Sequence, residues 1–230
     1  MIAAVASQED GATAALATSV SHAFANPVTT NNLVTVTCVR FSTSSDTFVA
    51  GSCAQSAGTA KLLPFALDRA TEFQLGVAQY VAVAFWSALV LSTGTCTVAV
   101  SGVPALSTLM LGHGEYTGSW DGTRSEVTST QTGTSTAAST GAAQSSKAGL
   151  WIGGLALGIP GIITITQKAL YTLLFKDETN GTGSVVRAIA SNGARDSAAW
   201  TLSLTQQYLA MLNVYREAGG MPPTFPIGAV

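Results

Sequence analysis

The sequence predicts an all-β fold, an antiparallel β-sandwich of the jelly-roll or immunoglobulin-like kind with extended N- and C-terminal arms. Three observations carry this. Apolar and polar residues alternate with a period of two over many short stretches. Gly, Pro and Asn turn signals separate those stretches at short intervals. No stretch of any length keeps a convincing helical pattern. Together they describe many short strands, the signature of a sandwich.

Along the chain, residues 1–19 are Ala-rich with a small helical pattern and read as an N-terminal arm, and residues 20–217 as the sandwich domain. Val20 to Phe24 forms a first strand, ended by Asn26-Pro27. Leu33 to Phe41 (LVTVTCVRF) is the clearest strand, with Val34, Val36 and Cys38 on one side and Thr35, Thr37 and Val39 on the other. Ser42 to Asp46 is a loop, and Phe48 starts a short strand that stops at Gly51. Lys61 to Arg69 is a strand broken by Pro64, or an edge strand, because Pro cannot donate to a ladder. Ala105 to Tyr116 is a further strand. Thr117 to Lys147 is Ser/Thr/Gly-rich with almost nothing to bury, and reads as a long exposed loop or a chain laid over a neighbour, with at most a strand near Glu126 to Thr130. Leu170 to Lys176 is a strand, Asp177 to Gly183 a turn and Val185 to Ser191 a strand before the Asn192-Gly193 turn signal. Ala198 to Val214 supplies the last strand or pair of strands. Residues 218–230 form a Pro-rich extended tail, since Pro blocks helix.

Two long charge-free runs raise the question of a membrane span. Ala148 to Gln167 (AGLWIGGLALGIPGIITITQ) is long enough to cross a bilayer as a helix. Its Pro160-Gly161 pair is a turn signal, and Ile163-Thr164-Ile165-Thr166 alternates like a strand, so it reads as two strands around a turn. Phe73 to Gly112 resolves the same way, into a strand from Val77 to Trp86, a turn at Ser92-Thr93-Gly94 and a strand from Thr95 to Val100 that together read as a hairpin.

The composition excludes several function classes. Charged residues make up 10% of the 230, with 10 Lys and Arg against 12 Asp and Glu, a net charge of −2. The basic residues are scattered, so the concentrated positive face that displaces counterions from phosphates is missing and nucleic acid is not a partner. Ser, Thr, Ala and Gly stand in place of charge, which suits a surface covered by neighbours. The three cysteines, Cys38, Cys53 and Cys96, are expected as buried thiols rather than a Cys38–Cys53 bridge, and show no metal or redox spacing. The N-terminus lacks a secretory signal, so synthesis in a cytoplasm is expected.

Residue types that carry chemistry are sparse. His113 and Glu115, two apart on one strand face, could relay a proton or hold a metal, but no third ligand stands near them, and a strand-end pair near the surface is the expectation. Asp121, Glu126, Asp177 and Glu178 are carboxylates in turns without a glycosidase pattern, and Asp177 to Gly181 lacks EF-hand spacing. No catalytic residue, metal site or cofactor is expected, and no enzyme. Trp86, Trp151 and Trp200 lie in apolar strands and read as core. Trp120, in a Gly- and Ser-flanked stretch, is the exposed candidate for a partner or sugar. With Pro222, Pro223, Phe225, Pro226 and Ile227 of the tail, it forms the expected partner-binding set.

Three segments, the NNLVTVTCVRF strand, the TGTCTVAV strand with the later GEYTG, and the closing SAAWTLSLTQQYLAMLNVYR, resemble β-sandwich virion surface proteins of tailed bacteriophages. The likeness covers about Val20 to Glu217 and lies in strand patterns rather than catalytic signatures. It implies a sandwich displayed on the virion exterior. The expected function is therefore a capsid decoration or cement protein, bound to the major capsid protein and to copies of itself as a trimer or dimer, with other virion proteins as further neighbours. A receptor-binding head fibre or tail spike that reads host glycans is the alternative. A secreted bacterial adhesion module is disfavoured by the absent signal.

Overall fold

In the computed structural model of the chain, residues 1–43, 51–76, 79–103, 107–158, 161–191 and 193–218 are described. They contain strands and connections and no helix. The first half holds β1 (Ala3–Ala4), β2 (Asp10–Ala17), β3 (Ser19–Ala23), β4 (Leu33–Ser42), β5 (Ser52–Ala57), β6 (Lys61–Leu62), β7 (Ala66–Gly76), β8 (Gln79–Ser92) and β9 (Thr97–Ser101). The second holds β10 (Ser107–Thr117), β11 (Trp120–Ser139), β12 (Ala143–Gln144), β13 (Gly149–Leu157), β14 (Ile165–Gln167), β15 (Thr172–Asp177), β16 (Gly183–Ala190), β17 (Arg195–Asp196) and β18 (Ala199–Glu217).

The strands form antiparallel sheets packed face to face, as a sandwich requires. The main sheet runs β1-β10-β4-β8-β6, with β2 also on β10 and β7 also on β8. The second runs β11-β18-β13-β16-β15, with β14 also on β18. A third, smaller sheet runs β3-β9-β5, and β12 pairs with β17.

Three apolar layers hold these sheets together. Between the main and second sheets, Val39, Val83, Phe85 and Met110 meet Leu150, Ile152, Leu209 and Met211. On the opposite face of the main sheet, Val36, Cys38, Trp86 and Leu111 meet Val20, Val98 and Val100 of the small sheet. The outer face of the second sheet buries Trp151, Leu155, Trp200 and Leu212 under Ile163, Ile165 and Tyr171. The main sheet is thus covered on both faces. Every residue of β4 and of β13 is buried, and β13 accordingly reads as a near-continuous apolar run, whereas β4 keeps alternating Thr although both its faces are covered.

The stretch from Ala148 to Gln167 is two strands, β13 and β14, and no described helix is long and apolar enough to cross a membrane. Gly153 and Gly154 sit in mid-strand for a packing reason. A Cβ on Gly154 would lie 2.6 Å from Val83 Cγ1 of the main sheet, and one on Gly153 would lie 2.7 Å from Ala198 Cβ in the outer layer. Glycines at both faces let the two layers close on the strand. Pro64 separates β6 from β7, as Lys61 to Arg69 predicted.

Three expectations are corrected. Thr117 to Lys147 is not a long exposed loop: it carries β11, a 20-residue strand paired with β18 from Trp120↔Glu217 to Ser139↔Ala199. Ser and Thr have enough β propensity for this when a strong partner strand supplies the apolar face. Residues 1–19 are extended but do not hang free, because β1 and β2 both pair with β10. The Val77–Val100 segment is not a hairpin, since β8 lies in the main sheet and β9 in the small one, so the chain changes layer at Ser92-Thr93-Gly94. The last segment is one strand, β18, of 19 residues, the first of the two arrangements expected for it. The short strand expected at Phe48 and the tail residues Pro222, Pro223, Phe225, Pro226 and Ile227 lie outside the described residues.

Candidate functional site

The most concentrated polar chemistry lies under the small sheet. His113 and Glu115 project from β10 on the same face as Leu109 and Leu111, with exposures of 1% and 0%. The expectation of a surface pair is therefore wrong. Sequence spacing showed that the two share a face but not that the small sheet and the 24–32 connection cover it.

Glu115 is fully engaged. One carboxylate oxygen accepts from the Thr29 backbone N–H at 2.6 Å and from Asn32 Nδ2 at 2.7 Å. The other accepts from Gln8 Nε2 at 2.9 Å. Gln8 also donates to the Asn26 carbonyl and accepts from the Asn26 N–H. Two segments distant in sequence from β10, the Gln8 region and the 26–32 connection, are thus tied to one buried carboxylate, which satisfies a group that would be costly to bury alone.

His113 faces the small sheet. Its Nε2 is 2.9 Å from His22 Nδ1 on β3, so one ring donates to the other. The Phe24 ring stands 4.1 Å from its centroid. Burial, reinforced by the neighbouring His22 imidazole, pushes His113 down to about 4, against weaker opposing effects of Asp10 and a Gln8 backbone group. A neutral imidazole locked between an aromatic ring and another histidine acts as a layer contact. No group of three or more His, Cys, Asp or Glu among the described residues is spaced to hold a metal ion.

The other carboxylates are structural as well. Asp177 accepts from the Asn180 backbone N–H at 3.0 Å and from Thr182 Oγ1 at 2.9 Å, closing the β15–β16 turn. Glu178 accepts from the Ile165 N–H at 2.6 Å and pairs with Lys176 at 2.8 Å, and these donors hold it below the usual carboxylate range. Glu126 is pushed up by burial, but donors from Ser146 and Ser145 outweigh this and lower it. The Asp121 side chain lies outside the described ones. Two contacts not foreseen from sequence clamp the main and second sheets: Arg187 grips Glu9 with both Nε (2.6 Å) and Nη2 (3.2 Å), and Tyr215 Oη donates to Asp68 at 3.0 Å.

The three cysteines are free and buried. Burial raises the Cys38 thiol to about 12 and the Cys96 thiol to about 11, and pushes Cys53 up further. Such thiols are inert hydrophobes rather than nucleophiles.

Trp86, Trp151 and Trp200 are core, as expected. Trp120 is half-buried rather than exposed. It packs against the layer between the main and second sheets and lines a groove of about 270 Å³ with Asn31, Leu91 and Ser119. A second groove, of about 490 Å³, is lined by Trp151, Leu170, Tyr171, Ile189 and Arg195. These grooves are shallow contact sites, the larger flanked by Arg195 and Asp196, while His113 and Glu115 are spent inside. No protein-family model matches the chain, and neither a curated protein nor a solved structure matches it.

Proposed function

We propose that the chain is a non-enzymatic structural protein of a phage virion that decorates or cements the capsid, bound to the major capsid protein and to copies of itself. The observation that carries this reading is the surface. A rigid body of three stacked sheets is clothed in Ser, Thr, Ala and Gln, with charged residues at 10% of the chain. A protein that stays free in solution usually carries more charge. A neutral, flat, β-rich exterior instead suits a molecule whose neighbours cover it, where many modest contacts on a lattice add up to near-permanent attachment. The engagement of Glu115, Glu126, Asp177 and Glu178 in structural bonds supports the same view, because it leaves these carboxylates no free acid–base pair to offer a substrate. The phage-like strand patterns add to it.

The test is quantitative mass spectrometry of purified particles from the phage or prophage that encodes the chain, with add-back of recombinant protein to stripped capsids. Hundreds of copies per particle and saturable capsid binding are expected. Deleting residues 219–230 should weaken that binding. A few to a few tens of copies, with binding of the isolated protein to host cells, would replace this reading by a receptor-binding fibre or spike.

A further inference from the structure

Among the described residues, the β11 edge of the second sheet holds the longest unbroken run of pairing at any sheet edge. A sheet edge exposes unpaired N–H and C=O groups and invites another strand, and proteins that stay monomeric guard it with charge, Pro, bulges or brevity. Most edges here are guarded. β6 has two residues and carries Lys61. β7 carries Asp68, Arg69 and Glu72. β15 has six residues and carries Lys176 and Asp177. β5 is six residues long with a register shift. β2, of eight residues, is broken by a register shift along β10 and by Leu16 at a φ of 50°.

β11 carries Asp121, Arg124 and Glu126 and register shifts near both ends, but its middle segment has none of these guards. It is 20 residues long and pairs on one side only, with β18. From Val127 to Ser139 it contains no charged residue, no His and no Pro. From Val127 to Ser135 its register along β18 runs without a break, so the segment is straight and regular. Thr130, Gln131 and Thr134 are exposed. Among the described residues, no other strand pairs with this edge, although the Ser139 and Thr140 segment folds back to bond the Gln131 and Ser129 side chains.

We propose that the β11 edge is the interface for a second copy of this chain, whose own β11 adds antiparallel across a two-fold axis near Gln131. The symmetry favours a self-partner. In an isologous antiparallel pair each strand meets its own sequence reversed. Any charge near the axis would then face its twin, and like charges directly opposite destabilise a pair. The Val127–Ser135 segment meets that condition, since Ser, Thr and Gln pair acceptably with themselves by hydrogen bonds. Main-chain bonds supply the affinity, and the two six-stranded sheets become one continuous sheet. This inference does not depend on the capsid reading.

The test uses the full chain at micromolar concentration, by light scattering coupled to size exclusion. Wild type should be a dimer, and amide exchange in residues 127–135 should slow as concentration rises. Thr130→Lys with Thr134→Lys places four like charges around the axis and should weaken dimerisation at least about tenfold, with partial recovery in 1 M salt as screening shortens. Thr130→Ser with Thr134→Ser should stay dimeric. So should Ala54→Lys with Ser56→Lys, which adds the same charge to β5. Unchanged melting and far-ultraviolet dichroism would show that the lysine variant folds. A monomeric wild type, a dimer indifferent to Thr130→Lys/Thr134→Lys, or concentration-independent exchange over 127–135 would overturn the proposal.

Discussion

Acid should loosen the contact between the main and small sheets through His113. In the native protein this imidazole is held neutral down to about pH 4, whereas its unperturbed value is 6.5. The unfolded chain therefore takes up a proton below pH 6.5 that the folded chain refuses until about pH 4. A group whose folded pKa is depressed in this way, when its charged form is the protonated one, removes stability as the pH falls through that window and adds no further loss below it. At about 1.4 kcal/mol per pH unit, the cost accumulates to about 3 kcal/mol by pH 4, a large share of the stability of an ordinary domain. The groups facing the ring are His22 from β3, Asp10 from β2 and Glu115 along β10. Urea denaturation at half-unit steps from pH 7 to pH 4, on wild type and His113→Gln, isolates the effect. The variant keeps a polar side chain towards His22 but cannot titrate, and carboxylates that titrate in the same range cancel in the difference. Wild type should lose about 3 kcal/mol more than the variant between pH 6.5 and pH 4. Parallel stability curves, or a His113 NMR titration near pH 6.5, would refute the reasoning.

Glu115→Ala should destabilise by about 3 kcal/mol or more, because it strands the Thr29, Asn32 and Gln8 donors without water; thermal melting checks this, and Glu115→Gln, which keeps one acceptor, should cost less. Gly154→Ala should cost about 1–3 kcal/mol by forcing β13 away from Val83 of the main sheet, measured as a shift in the urea midpoint at constant slope. Ellman's reagent at pH 8 should modify none of the three cysteines rapidly in the native state and all three after denaturation, given their burial and raised pKa values.

The sandwich was legible because its signals are local. Period-two alternation in Leu33–Phe41 and the Asp177–Gly183 turn each act over a few residues, and each appears where the pattern placed it. The misreadings share one cause, which is that partner identity is not local. β11 has little to bury on its own and becomes a strand because β18 offers it a continuous partner. Residues 1–19 lack a strong pattern of their own and are ordered by β10. The Ser92-Thr93-Gly94 turn was visible, but a turn does not state whether the chain returns to the same sheet or crosses to the next, and here it crosses.

The buried polar cluster shows the same limit at the level of side chains. His113 and Glu115 were marked by their spacing, yet their meaning lies in Gln8, His22, Asn26, Thr29 and Asn32, which come from other segments. Nothing local distinguishes Gln8 from any exposed glutamine. A carboxylate at the surface and one fully buried differ by the desolvation of a charge, so the same two residues would serve catalysis in an open cleft and cohesion in a closed layer. Here the cover is complete, and the cluster ties the N-terminal segment, the main sheet and the small sheet into one body. That division of labour directs attention outward. With His113 and Glu115 committed to holding layers together, the specificity of the proposed self-association rests on shape and main-chain pairing along the Val127–Ser135 segment of β11.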